Sequence, residues 1–483
     1  MPRLRVLIAA FDGLQPSQVT PEATPVVHAL AARGVTFARH RGVFPTVTRV
    51  NAASMVTGRY PGGHGLLGNT LVFPELDRAS PVAALEPELS RVAAVTDGRV
   101  LLAPTLGELL ASTGRSFATV VGGTSGNAYV QHPRATQVGG GVFHPEFALP
   151  GRLYPEMLAR VGPWPPKDPP ALGRIRHVAE TFLRCLVPLV DPEVGLVWFP
   201  EPDTSQHASG VGSPPARAAL TTADAELGRI LETLARTGVE PDVLVVSDHG
   251  YSTIARGIDV EREVRAAGFP AGGQKGGVAV APNGGAVLFY VHDGAADVVA
   301  RLATWLAGQP WAGALIGGSE TAVRLGLLPG ALAGVTGPRG ADIVMSCRWD
   351  SADGANGFPG RCDAVDGAQP GQGTHGSGSP QELRCTLVAA GPSFREGLVS
   401  EVPSGNVDLT PTVLRLLDVR PSAAFDGRPL VEALRAGNSG SIPVPPVTRR
   451  TVERPGGGGH QRLVVEEVGG TRYLMELGRD LPP

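Results

Sequence analysis

Lysine is nearly missing from this chain. Of 42 basic residues only Lys167 and Lys275 are lysines, and the rest are arginine. Arginine is a fixed planar cation, whereas lysine is a point charge with a tunable pKa. Schiff-base and phosphate-loop chemistry therefore have two candidate residues, and neither lies in a G-x-x-x-x-G-K-[ST] stretch. Cysteine is also scarce. Cys185, Cys347, Cys362 and Cys385 form no C-x-x-C pair, which argues against a cysteine zinc site and a disulfide scaffold. One bridge stays open, with buried free thiols as the simpler reading. No apolar run reaches the ~18 residues of a membrane helix. The N-terminal run Val6–Phe11 stops at Asp12 without a small-residue cleavage site, so it reads as a first buried strand rather than a signal peptide, and the protein is expected to be cytoplasmic and off the membrane. A formal net charge of −3 gives no footprint for stable nucleic-acid binding.

What is present is a chain of 483 residues, 42% hydrophobic and 18% charged, with 65 glycines and 45 prolines. That suits a globular α/β protein rich in turns, with no G-X-Y period and no internal repeat. Apolar runs of strand length at Val6–Phe11, 116–122, 195–199 and 243–246 alternate with helical spacings at 24–33, 51–57, 106–113, 171–187 and 216–237. Such alternation predicts a mostly parallel sheet sandwiched by helices, with functional groups at the carboxyl ends of its strands. The pattern loosens over 252–371, which reads as an inserted cap. It returns over 372–435, completing a core begun by 1–251. Residues 436–483 read as a linker followed by a β-hairpin turning at Gly469-Gly470.

Four segments put Asp or His at a strand end or in a glycine-bounded turn. They are Asp12-Gly13, Glu201-Pro-Asp203 with His207 four residues on, Ser247-Asp248-His249-Gly250, and Gly373-Thr-His375-Gly376. Each alone is an ordinary turn, cap or chance pairing. Together they supply three carboxylates and three imidazoles, a donor set for zinc, manganese or iron rather than for a soft thiolate metal, and enough for two ions.

A fifth segment runs Phe44-Pro-Thr-Val-Thr48-Arg49-Val50-Asn51, then Val56-Thr-Gly-Arg-Tyr-Pro61-Gly-Gly-His64-Gly65, then Gly68-Asn69. It resembles the nucleotide pyrophosphatase/phosphodiesterase branch of the alkaline phosphatase superfamily, as does Asn406-Val-Asp-Leu-Thr-Pro-Thr-Val-Leu414 later in the chain. The resemblance implies an alkaline-phosphatase-like α/β fold and two divalent ions, zinc foremost, with manganese or iron as alternatives. It makes Thr48 the nucleophile and a metal ligand, with Asp12, Asp248 and His249 on the same ion. Asp203, His207 and His375 take the other, and Asn69 meets a phosphoryl oxygen. The resemblance leads us to expect hydrolysis of phosphodiester or pyrophosphate bonds in a small phosphate ester or nucleotide, through a phospho-threonine.

The chain departs from that pattern where Arg49-Val50 replaces Phe-Pro and Ala52 replaces His; Ala208-Ser209-Gly210 differs modestly after the ligand His207. Arg49 has two readings, a fork for a phosphate oxygen or a solvent-facing side chain, and Thr48 has a plainer reading as a helix N-cap. The superfamily also contains phosphonoacetate hydrolase, whose lysines grip a carboxylate. The comparable stretch here offers Thr124, Ser125, Asn127 and Tyr129 as candidate pocket residues and no lysine. A phosphonate hydrolase, a phosphomonoesterase and a metal-binding pseudoenzyme stand as alternatives.

Overall fold

A computed structural model describes residues 3–365, 367–420, 423–435, 444–456 and 459–480. Its centre is a nine-stranded sheet. In chain order the strands are β1 (Val6–Phe11), β2 (Val35–Phe37), β3 (Phe117–Val121), β4 (Gly141–Phe143), β5 (Ala148–Leu149), β6 (Val194–Phe199), β7 (Asp242–Val246), β8 (Leu387–Ala390) and β9 (Leu398–Ser400). In space they lie β9-β2-β8-β7-β1-β6-β3-β4-β5. Only β5 and β8 run against the rest, which is the mostly parallel sheet expected.

Strand β1 shows why these runs become central strands. All six of its residues are buried, because helices cover both faces of a parallel sheet. Val6, Ile8 and Ala10 face one apolar cluster with helix α2 (Thr48–Thr57). Leu7, Ala9 and Phe11 face another with α1 (Pro25–Arg33) and α3 (Pro214–Arg236). Each large apolar side chain so buried contributes about 1.5–3 kcal/mol. Among the described residues no helix is long and apolar enough to cross a membrane.

Register matters more than the number of strands. Ala10 pairs with Val246 and Phe11 with Phe199, so β1, β6 and β7 end level with one another. Asp12, Asp203 and Asp248 follow those ends on one edge of the sheet.

Residues between 252 and 374 form two smaller sheets. Ser252–Gly257 joins Pro359–Ala364, Trp349–Asp353 and Gly373–Thr374. A five-stranded sheet from Val278 to Cys347 packs with the helix Ala296–Ala307 on a third apolar cluster. The core segment expected after residue 372 holds a helical turn at Pro380–Leu383 before β8 and the helix α4 (Leu409–Leu416).

The C-terminal region differs from the linker and hairpin read in the sequence. Residues 436–443 lie outside the described residues, but Val447–Gly456 is a strand, paired with Gly459–Val468, which pairs in turn with Thr471–Asp480. The expected hairpin is the second half of this three-stranded meander, and Gly469 and Gly470 turn it with φ of 58° and 89°, as a tight hairpin requires. Glycine and proline obscured the first strand, yet the β-branched run Val447-Thr448 and Thr451-Val452 suits a pleated strand. Leu463, Val465, Leu474 and Leu477 bury into the main apolar cluster, so the meander is part of the body of the protein.

Candidate active site

Two groups of ligand-type side chains meet at the carboxyl edge of the sheet. One is Asp12, Asp248 and His249, and the other is Asp203, His207 and His375. Asp12 leaves β1 through Gly13, where a φ of +72° and a Tyr251 ring that would lie 2.7 Å from an added Cβ exclude a side chain. Asp203 opens the helix Asp203–Ser209, so His207, four residues on, shares its face. His375 follows Gly373–Thr374, whose pairing with Ser252 and Thr253 returns the chain to the edge it left at Gly250.

The distances are those of groups drawn to a common centre. His249 Nε2 is 3.1 Å from Asp248 Oδ2 and 3.6 Å from Asp12 Oδ1. Asp203 Oδ1 is 3.3 Å from His207 Nε2 and 3.5 Å from His375 Nε2. The rings of His249 and His375 stack 3.6 Å apart at 14°, joining the two groups. Thr48 Oγ1 lies 3.3 Å from His249 Nε2.

The surroundings fix which atoms remain free. A carbonyl oxygen only accepts, so each imidazole must donate from Nδ1: His249 to Gly250 (3.0 Å), His207 to Gly373 (3.1 Å) and His375 to Thr46 (2.8 Å). That leaves Nε2 with its lone pair pointing inward in all three. The Trp198 indole N–H donates to Asp12 Oδ2 (2.9 Å) and the Gly13 N–H to Asp248 Oδ1 (3.0 Å). The other oxygens, Asp12 Oδ1 and Asp248 Oδ2, are buried without a hydrogen-bond partner. Orphaned carboxylate oxygens facing imidazole lone pairs, with the far side of each ligand held by a hydrogen bond, suit divalent cations.

The charges agree. Burial first, then the Asp248 and Asp203 carboxylates, hold the Asp12 carboxyl well above its usual range. Burial pushes Asp203 up as well, but His207 and His375 outweigh it and bring its carboxyl below the usual range.

Thr48 is the first residue of α2, after the cap residue Val47, so it is not the N-cap that the sequence also allowed. Gly58, at φ 66°, ends the helix. Asn69 Oδ1 accepts the Arg49 backbone N–H at 3.1 Å. That bond fixes Asn69 and turns its amide so that Nδ2 is the free end.

Arg49 does not face solvent. It is 9% exposed, and it donates from Nη1 to the Asn69 carbonyl (3.0 Å) and from Nε to Thr124 Oγ1 (3.4 Å). Thr124 therefore adjoins the site, while Asn127 is buried with its Nδ2 unpartnered. Two other pocket candidates sit in supporting places. Ser125 Oγ accepts the Glu86 N–H at the start of the helix Glu86–Val95. The Tyr129 ring packs 6.2 Å from that of Phe147, within the main apolar cluster.

Several contributors escaped the sequence reading. Tyr251 Oη donates to Asp203 Oδ1 at 2.5 Å; its place one residue past Ser247-Asp-His-Gly250 was the available signal. Trp198, the penultimate residue of β6, lies within the run 195–199 that the sequence marks only as a strand, and its indole N–H holds Asp12. Asn406 donates to the Asp248 carbonyl (2.9 Å) and to Asn51 Oδ1 (3.0 Å), so the late Asn-Val-Asp segment braces the ligand loop.

A family model described as type I phosphodiesterase / nucleotide pyrophosphatase matches residues 6–376. Among solved structures the chain is similar to murine ectonucleotide pyrophosphatase / phosphodiesterase 5. The TM-score is 0.60 at 18% identity, covering 87% of this chain and 96% of that one. An inactive variant of the murine protein in complex with AMP matches with a TM-score of 0.59 at 18% identity, over the same shares of both chains. The human counterpart matches with a TM-score of 0.60 at 17% identity, over 89% of this chain and 100% of that one. At these identities the likeness is one of fold.

Proposed function

The chain belongs to the type I phosphodiesterase / nucleotide pyrophosphatase family, within the alkaline phosphatase superfamily, and on that premise we propose that it cleaves phosphodiester or pyrophosphate bonds in nucleotide-like esters by way of a phospho-threonine at Thr48. The observation that carries this reading is the approach of Thr48 Oγ1 to His249 Nε2, 3.3 Å, at the junction of two stacked three-ligand groups. The murine relative's complex with AMP favours a nucleotide as substrate.

In this reading Asp12, Asp248, His249 and Thr48 hold one divalent cation, and Asp203, His207 and His375 hold a second, with zinc our first choice. Such ions lower the pKa of a hydroxyl and offset charge on phosphoryl oxygens. Thr48 Oγ1, its proton given up to solvent, attacks phosphorus. The bond to the leaving oxygen breaks, and the leaving group departs with the electron pair and takes a proton from solvent. Asn69 Nδ2 donates to a non-bridging oxygen as negative charge grows there. Water then attacks the phospho-threonine and returns Thr48 to its starting state.

The test is hydrolysis of bis(p-nitrophenyl) phosphate by the chain loaded with Zn²⁺ or Mn²⁺. Thr48→Ala is expected to lower turnover by about 10³-fold or more. A variant that kept the parent rate would remove Thr48 as nucleophile. A panel of diester, monoester and phosphonate substrates separates the proposed activity from its superfamily alternatives, and metal analysis well below two ions per chain would refute the paired sites.

A further inference from the structure

Four residues after His375 the chain runs Ser379-Pro380-Gln381-Glu382, the S-x-x-E spacing of a capping box. Only half of the box forms. Ser379 Oγ accepts the Glu382 N–H (3.2 Å), and Pro380 opens the helical turn Pro380–Leu383. The Ser379 N–H goes to Ser377 Oγ (3.2 Å) rather than to the glutamate. That frees the Glu382 carboxylate to reach further back, where its Oε2 accepts the Ser377 N–H at 2.6 Å.

From there Glu382 meets three segments of the site. Its Oε2 lies 3.2 Å from Thr46 Oγ1, two residues before Thr48. Thr46 is itself bound to the loop of His375. Its Oγ1 accepts the Gly376 N–H (2.9 Å), and its one hydroxyl proton lies between the Ser377 carbonyl (2.7 Å) and Glu382 Oε2. The Thr46 N–H donates to the Gly376 carbonyl (3.3 Å), and the Thr46 carbonyl accepts from His375 Nδ1 (2.8 Å).

On its other side the Glu382 carbonyl accepts the Gly250 N–H (2.7 Å). A Cβ on Gly250 would stand 2.0 Å from the Gln381 carbonyl, so the loop of Asp248 and His249 lies directly against the helical turn. The next carbonyl, of Leu383, accepts the Gly42 N–H (2.8 Å), where the chain sets out toward Thr48.

Glu382 is fully buried and forms no ion pair among the described residues. A buried carboxyl without a counter-ion is costly, and an apolar side chain of the same volume would hold a helical turn with less penalty. Packing therefore does not account for a carboxyl here. What it supplies is an acceptor shared by the nucleophile's segment and the His375 loop.

We propose that Glu382 is a positioning residue: its carboxylate and carbonyl hold the segment of Thr48 and the loops of His249 and His375 in one arrangement, so that the nucleophile faces both ligand groups. This rests on the hydrolase reading above and adds to it a residue that touches neither substrate nor ligand atoms.

Glutamine at this position keeps an acceptor oxygen, and methionine keeps the volume but removes it. With bis(p-nitrophenyl) phosphate and the metal-loaded full chain, Glu382→Met is expected to lower kcat by about 10–100-fold with KM within about twofold. Glu382→Gln is expected to recover most of that loss. Thr46→Val removes the partner hydroxyl, and in the double variant the two losses are expected to overlap rather than multiply. Equal rates in Glu382→Gln and Glu382→Met, a loss confined to KM, or losses that multiply would overturn the proposal.

Nuclear magnetic resonance of the metal-free full chain gives a readout without turnover. The His375 Nδ1–H, held by the Thr46 carbonyl, is the imidazole N–H resonance that disappears in His375→Gln. Glu382→Met is expected to shift it or lose it to exchange, and Glu382→Gln to restore it. The resonance of the remote His132, whose ring bonds the Gly139 carbonyl (2.8 Å), stays in place and reports an intact fold. This result supports the positioning role even where the parent hydrolyses no ester, which separates it from the hydrolase reading. If Glu382→Met does not fold, Thr46→Val is expected to move the same resonance. A folded variant that leaves the His375 resonance unmoved overturns the role.

Discussion

The two ligand groups are alike in composition but are held by different kinds of structure. Asp12, Asp248 and His249 come straight off adjacent parallel strands whose register sets their level, and the His249 side chain is fully buried. Asp203, His207 and His375 come from a seven-residue helix and from a turn reached only after the chain has passed through two further sheets, and the His207 side chain is 46% exposed. One group is fixed by the sheet. The other is assembled by a helix face and a returning loop. Ligands set in sheet register have little freedom to re-form around a missing partner, whereas an exposed imidazole on a short helix can be replaced by water.

That contrast breaks most visibly at the ligands themselves. Asp248→Asn is expected to lower turnover by about 10³-fold and to lose one ion per chain, since it removes a charge 3.1 Å from the His249 imidazole. His207→Ala is expected to cost about 10²-fold and to lose the other ion. In the parent protein, a chelator titration followed by metal analysis should empty the His207 side first. Release of both ions together, or of the buried one first, would contradict the distinction.

The groups behind the ligands sharpen it at smaller scale. Tyr251→Phe takes the donor from Asp203 Oδ1, and Trp198→Phe takes it from Asp12 Oδ2. Loss of such a partner costs about 10–100-fold in metal affinity. The Tyr251 variant should fall at the low end, because water reaches the exposed group and replaces the bond. The Trp198 variant should fall at the high end. Competition with a chromogenic chelator measures both.

The difference between the groups also explains what could be read from the sequence. Asp12 and Asp248 were legible because each follows an apolar run of strand length, and a charge one or two residues past a buried strand is a local signal. His375 was legible as a glycine-bounded histidine, but its partner elements were not, since Ser252 and Thr253 lie more than a hundred residues away. Arg49 had two readings because its surroundings come from Asn69 and Thr124, on separate loops. Asn69 in turn depends on a brace that no local pattern reveals: Asn283 exchanges two hydrogen bonds with the backbone of Thr70, at 3.0 and 2.9 Å. The strand at 447–456 was missed because its sequence mixes charged residues with Pro455 and Gly456, which read as a linker. The rest of the meander announced itself through its turn glycines.

The smallest expected effect concerns a histidine outside both groups. His40 is fully buried, and its ring bonds Ser404 Oγ (3.0 Å) and Asn406 Oδ1 (3.1 Å), the same Asn406 that holds the Asp248 carbonyl. Burial lowers its pKa to about 3 from an ordinary 6.5, so in the folded protein it is neutral at any pH the enzyme meets. The sign follows from proton linkage: below pH 6.5 the unfolded chain takes up a proton that the folded chain refuses. Stability from this group is whole above pH 6.5 and falls by about 1.4 kcal/mol for each pH unit down to about 3. Replacing it with a side chain that does not titrate, His40→Gln, should therefore flatten the loss of thermal stability between pH 6.5 and 5 by about that amount per unit. The same change lowers stability at pH 8, because glutamine cannot reproduce both ring contacts. If the parent and variant melting curves fell in parallel from pH 8 to 5, His40 would not be a neutral buried group. The brace from Asn406 to the buried ligand loop would then have to be independent of it.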